Sequence, residues 1–376
     1  MSKKSRDSNN LSGWLFSAPM IVILGLFLIV PIIMAAWVSV SDWQGAGSPF
    51  ASGVNFVGAD NYAKLLTEDG LARNDFMTSL RNNFFYVLFV VPLQTVLALV
   101  LAFALNKEGL RGKGFFRTAY YFPTVTSSVA IAAVFLFLFS SDGSVNAFLR
   151  FLGINGPAWF NDPRGLLHLA LGGVGITDPP ALTGTTVMGL TLWDWLAGPS
   201  VAMCAIIGLV VWTSAGGFML MFLAGLQDVP GECIEAASID GAGRWKTIWF
   251  VVLPQLKPVL FLVITLGLIG TWQVFDQIYI MSKGSPGKTT LTPAYLSYDT
   301  SFNSSQWGQG AAMAFLLFGL IVVLTLVQRW IMRDRTPAVG RGGRGGGGGP
   351  RSPQPVAGAP GSDQKAPAVQ TVGVGR

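Results

Sequence analysis

Glu235-Ala236-Ala237-Ser238-Ile239-Asp240-Gly241, followed by Val251-Val252-Leu253-Pro254, is a short polar stretch set between two long apolar ones. Its composition is that of a soluble helix. The residues on either side, 201–223 and 259–281, are apolar over more than the roughly 20 residues that a membrane helix needs. A soluble-looking helix in that position requires a surface to dock on. The fold follows from placing that helix relative to the bilayer.

Composition agrees with a membrane solvent. The chain has 376 residues, 51% hydrophobic and 12% charged, about half the charge of an ordinary soluble domain. Six stretches qualify as spans: 14–38, 84–105, 119–139, 201–223, 259–281 and 311–332. The first begins after Lys3, Lys4 and Arg6 like a signal peptide. Its apolar run exceeds the 7–15 residues of a signal core, so it reads as a retained span. Lys and Arg fall in the N-terminal segment 1–13, after span two (Lys107, Arg111, Lys113, Arg117), after span four (Arg244, Lys246, Lys257) and after span six (Arg333, Arg335). The positive-inside rule puts all four on the cytoplasmic side, with both termini, in a multi-pass protein of a bacterial-type inner membrane. The net charge of +6 is thereby a topology signal, and no nucleic-acid partner is expected. Residues 336–376 are Gly/Pro/Arg-rich and read as a disordered cytoplasmic tail. In the long outer segment 140–200, the apolar pieces 166–171 and 187–192 are too short to span and suit the membrane surface.

The polar helix has its own logic. Pro230 suits an early helical position, with Asp228 before it able to accept from free N–H groups. Cys233, Ala237 and Gly241 recur every four residues as a small-residue face. Asp240 and Arg244 stand four apart and are expected to pair, and Glu232 and Glu235 complement the helix dipole. Packing on the chain's own surface is the alternative reading of such a helix.

Glu-Ala-Ala, three residues, Gly, nine residues and Ile-x-Leu-Pro is the signature of permease subunits of binding-protein-dependent ABC importers. This chain resembles it with Val251 for Ile. Phe56-Val57-Gly58-Ala59-Asp60-Asn61-Tyr62, Arg117-Thr118-Ala119-Tyr120-Tyr121-Phe122-Pro123, Leu223-Ala224-Gly225-Leu226-Gln227-Asp228-Val229-Pro230, and Phe275-Asp276-Gln277-Ile278-Tyr279 with Gly284-Ser285-Pro286-Gly287 resemble carbohydrate permeases of the maltose/glycerol-phosphate type. The resemblance implies an all-α integral membrane domain over 14–335, with six transmembrane helices and a cytoplasmic coupling helix from Glu235 to about Thr247 between spans four and five. The candidate ATPase-coupling residues are Glu235, Ala236, Ala237, Asp240, Gly241, Arg244 and Pro254. It further implies a second homologous permease, two ATPase subunits that carry ATP and Mg, and an extracytoplasmic solute-binding lipoprotein. About 35 residues, 164–198, stand outside the pattern as an outer-loop insertion.

Polar groups within spans point to a path, because they are costly in lipid and face a cavity or another helix. Span three opens on Thr124, Thr126, Ser127 and Ser128; span four carries Trp212, Thr213 and Ser214; span five carries Trp272, Gln273, Asp276 and Gln277. Sugars offer hydroxyls to carboxylates and amides and apolar faces to aromatic rings. The substrate-path candidates are accordingly Thr126, Ser127, Trp212, Thr213, Trp272, Gln273 and Asp276. Ser and Thr also bond their own helix backbone, and Trp marks membrane interfaces, which gives each of these a structural alternative. Gly287-Lys288-Thr289 lacks the earlier glycine of a phosphate loop, since Ser282 stands there. Cys204, Cys233 and the lone His168 build neither a metal site nor a catalytic pair. A secondary transporter would show inverted repeats and several deep charges, and a membrane enzyme a cluster of titratable groups; neither pattern is present.

Overall fold

The computed structural model describes residues 3–107, 109–172, 179–187 and 189–332. Five helices are long and apolar enough to cross a membrane: Gly13–Ser39, Leu71–Asn106, Val201–Gln227, Lys257–Met281 and Trp307–Ile331. A sixth span is formed if the bent pair Lys113–Val125 and Ser128–Leu138 is counted as one. The tail expected to be disordered, 336–376, lies outside the described residues. The N-terminal segment 1–13, expected to precede the first span as a separate piece, is instead helical from Lys3 and runs continuously into it.

Proline shapes two of the spans. A proline donates no N–H and its ring crowds the carbonyl four residues back. Pro31 and Pro254 each follow one wide turn, Gly25–Ile29 and Ile248–Val252, in which the bond reaches back five residues: Val30 N–H to Gly25 O, and Leu253 N–H to Ile248 O. The wide turn lifts the crowded carbonyl, that of Phe27 or Phe250, away from the ring. Span three is the larger departure. A straight helix over 119–139 was expected, but the chain turns by 95° between Val125 and Ser128. Thr126 and Ser127 take extended backbone. The Thr126 hydroxyl donates to Phe122 O at 2.8 Å, replacing a backbone donor at the helix end.

The spans pack through small residues and apolar faces. Ala98 and Ala102 of span two are fully buried against Met219, Phe222 and Leu226 of span four, a pairing of small side chains that brings the two backbones close. Toward the other end, Phe76, Tyr86 and Val90 meet Met203, Ile206 and Leu209. Span six packs on span five and on the last part of span one, and the short helix Asp276–Met281 packs on Ser128–Leu138. The Thr124 hydroxyl enters span four itself, donating to Thr213 O at 2.6 Å and accepting from Gly217 N–H at 3.2 Å. That approach requires Gly216, where a Cβ would lie 2.0 Å from Tyr120 O.

The segment 164–198 is a pinched excursion. Its ends meet in an isolated bridge, Gly165 with Ser200, and Leu166 N–H donates to Pro199 O at 2.9 Å. Span four then starts undisturbed, with Ser200 Oγ accepting from Met203 N–H. Residues 166–171 fall in the helix Leu166–Gly172. Residues 187–192 do not form one apolar piece. They divide between a two-stranded antiparallel hairpin, Thr186–Val187 with Leu190–Thr191, and the short helix Leu192–Trp195, so the fold is all-α apart from that hairpin. Thr191 and Asp194 close a capping box there, and Arg81 Nη1 donates to Asp194 O at 3.2 Å, tying this segment to span two.

Candidate functional site

Two places gather the functional candidates. The first is the turn between spans four and five. Gly231–Ile239 is a helix, with Pro230 at its N-cap in extended conformation (ψ 127) rather than inside it, and no side chain, Asp228 included, caps its end. The helix stops through a Schellman arrangement: Ala242 N–H donates to Ala237 O at 2.9 Å and Gly241 N–H to Ser238 O at 3.1 Å. Gly241 has φ +74, a left-handed conformation that favours glycine. The chain then resumes as Arg244–Thr247.

This turn corrects three expectations. The helix is not continuous from Glu235 to Thr247. Gly241 lies outside it, so the face Cys233, Ala237, Gly241 ends at Ala237, which is turned inward at 9% exposure. Asp240 and Arg244 lie on opposite sides of the turn, and among the described residues no ion pair joins them. Glu235, Ala236, Asp240, Gly241 and Arg244 are exposed. Ile239 projects at the tip with 87% of its surface free. It escaped the sequence reading because an apolar residue beside Ala237 reads as buried. Pro254 follows the wide turn at the start of span five.

The second place is a cavity of about 270 Å³ between spans two, four and five. Its polar lining comprises Tyr86, Gln94, Ser214, Thr271, Gln273, Asp276 and Gln277. Ser128 Oγ donates to Asp276 Oδ2 at 2.6 Å, joining the second half of the bent span to the cavity wall. Ser214 Oγ lies 2.7 Å from Gln94 Oε1, while the other pole of that amide is buried with no protein partner; the Tyr86 hydroxyl is likewise buried and unpartnered. Room for the Gln94 amide comes from Gly267, where a Cβ would lie 2.5 Å from its nitrogen.

Of the seven path candidates, Gln273 and Asp276 line this cavity. Thr126 bonds its own helix, and Ser127 stands at the N-cap position of the next one with no side-chain capping bond. Trp212 stacks near Phe135 at 5.6 Å. Thr213 has its carbonyl taken by Thr124 and its hydroxyl by Val210 O. Trp272 is buried against Leu317 and Ile321 of span six. Tyr86 and Gln94 were passed over in the sequence, although polar residues inside span two satisfy the same rule that selected the others. Their eight-residue spacing puts them near one face of that helix.

The chain as a whole is similar to known transport proteins. The family model described as "Binding-protein-dependent transport system inner membrane component" matches residues 71–336. YesP of Bacillus subtilis (strain 168) is 31% identical over 331 residues, covering 86% of this chain and 92% of its own. The lactose transport system permease protein LacF of Rhizobium radiobacter is 30% identical, covering 87% and 95%. A solved bacterial ABC transporter involved in the import of the acidic polysaccharide alginate has a chain of the same fold, with TM-score 0.64, 19% identity, and 89% of this chain and 100% of that chain covered.

Proposed function

The chain belongs to the family of binding-protein-dependent transport system inner membrane components, which are transport subunits and not enzymes, and from that premise we propose that it is a permease of an ATP-driven sugar importer. With a second, homologous permease it forms a membrane path for a sugar or oligosaccharide brought by an extracytoplasmic binding protein. The turn 231–247 docks on an ATPase subunit at the cytoplasmic face. Nucleotide-driven closure of two such subunits draws the two coupling turns together and turns the path outward, a two-state switch transmitted through a docked element.

The observation that carries this reading is the exposed turn itself. A short helix with Glu232 and Glu235 in solvent, Ile239 bare at its tip and Gly241 fixed at φ +74 stands between two spans. An apolar side chain that free at the end of a polar element suits insertion into a partner's pocket. The lactose permease relative supports a sugar as cargo, and Gln273 and Asp276 in the cavity offer a hydroxyl-rich solute an amide and a carboxylate.

Gly241→Arg tests the coupling role. Nothing lies within 4 Å of a Cβ at that position, so the side chain points outward and the local strain costs about 1 kcal/mol. The expected result is normal membrane insertion, loss of uptake and loss of ATPase co-purification. Wild-type uptake in this variant would refute the docking.

A further inference from the structure

We propose that the cavity and the aromatic path leading to it take an uncharged saccharide chain and reject uronates and phosphorylated polyols; this rests on the sugar-importer reading above. The cavity is a built site. Tyr86 and Gln94 are at least 99% buried, line it, and hold a hydroxyl and an amide pole that no protein group satisfies. Buried polar atoms of this kind are costly unless a ligand pairs with them. Sugar hydroxyls donate and accept, so they serve either.

Charge narrows the class. Among the described lining residues the fixed charge is the Asp276 carboxylate, and no Lys, Arg or His lines the cavity. Ser128 occupies one oxygen of Asp276, leaving the other to accept from a sugar hydroxyl. A second anion held about 5 Å from it would lose roughly a hundredfold in affinity at an effective dielectric near 20.

Shape extends the class from a single sugar to a chain. Phe275 lines the cavity and begins a run of rings. It stacks on Tyr279 at 5.5 Å and meets Tyr298 edge-on at 5.3 Å. Tyr298 stacks on Phe302 at 4.9 Å, Phe302 meets Trp307 at 4.5 Å, and Trp307 reaches Trp43 at 5.3 Å. Gly45 lets the Trp307 indole close over the loop, since a Cβ there would lie 2.0 Å from its nitrogen. Phe302 is 58% exposed. The run is amphipathic, not greasy: Tyr279 and Tyr298, each carrying a phenol hydroxyl, meet edge to face at 5.5 Å. Its charged flanks, Lys283 over the Tyr279 ring and Asp299 bonded by Asn303, are of opposite sign. Alternating ring faces and hydroxyls match the apolar faces and hydroxyl edges of successive sugar rings, and the run starts at Phe275, which lines the polar cavity.

The test uses the assembled transporter in membrane vesicles with labelled maltotriose, maltose, trigalacturonate and glycerol 3-phosphate as probes, measuring uptake and direct binding without the binding protein. The expected result is at least tenfold preference for the neutral probes, a preference that shrinks in Asp276→Asn. Phe302→Ala, an exposed position that leaves folding intact, weakens maltotriose several-fold more than maltose. Equal handling of charged and neutral probes, or a preference unchanged by Asp276→Asn, overturns the proposal and leaves the sugar-importer reading standing. ATP-driven uptake of a non-saccharide solute, with no saccharide moved, overturns both.

Discussion

At the residue scale, a few buried polar side chains decide how the loop after span five is held against span two. Asn82 is buried near the top of span two and donates through Nδ2 to Lys288 O at 2.7 Å and Leu291 O at 3.0 Å. Its own Oδ1 accepts from Arg81 Nη2 at 2.9 Å. The segment it grips also carries Lys288, whose Nζ lies 2.7 Å from an Asp75 oxygen. Both side chains of that surface pair are partly in water, so it adds well under the cost of losing Asn82. Asn82→Ala leaves two carbonyls and a guanidinium without this partner, a loss of about 1–3 kcal/mol. We expect a lower melting temperature for the detergent-solubilised protein, whereas Lys288→Ala leaves it nearly unchanged; equal losses would contradict this ranking. The sequence shows an Asn within reach of span two, but the carbonyls it bonds are over 200 positions away, and no local pattern announces them.

At the element scale, the turn 231–247 and the bent third span are where local pattern and final geometry part. Glycine at 241 marks the turn, since a positive φ favours that residue. The sequence periodicity nonetheless ran through it and predicted one helix, because spacing by fours carries no record of a backbone reversal. The same limit applies to span three: hydropathy is continuous across Thr126-Ser127, and the 95° bend arises from side-chain bonds to Phe122 O and from the Ser128–Asp276 contact. Orientation of the turn has a direct readout. Cys233 is exposed while Cys204 is partly covered within span four. A membrane-impermeant maleimide is expected to label Cys233 in inside-out vesicles and not in intact cells, and addition of the ATPase subunits slows that labelling. Labelling from outside intact cells would reverse the topology.

At the scale of the whole molecule, the described chain is a set of spans whose apolar surface suits lipid, with its polar groups gathered in the cavity and in the connections between spans. Span one is the least engaged; its residues from Trp14 to Val30 are largely exposed and its packing is confined to its last turns around Val38 and Ser39. Residues 337–376 lie outside both the described spans and the matched family region, and their composition cannot bury a core. Deleting them is expected to leave uptake within about twofold of the full chain, measured at equal membrane abundance; a large loss would assign the tail a working contact. The sequence by itself determined the solvent, where along the chain the apolar segments fall and the polar element between the fourth and fifth, because hydropathy and charge placement act locally along the chain. Tertiary structure alone decided which of the intramembrane polar residues face a common cavity, that span three is broken, and that the segment before span four is pinched off by the bridge of Gly165 with Ser200. Those outcomes depend on contacts between segments far apart in sequence, where a side chain's partner is set by helix packing and not by its neighbours in the chain.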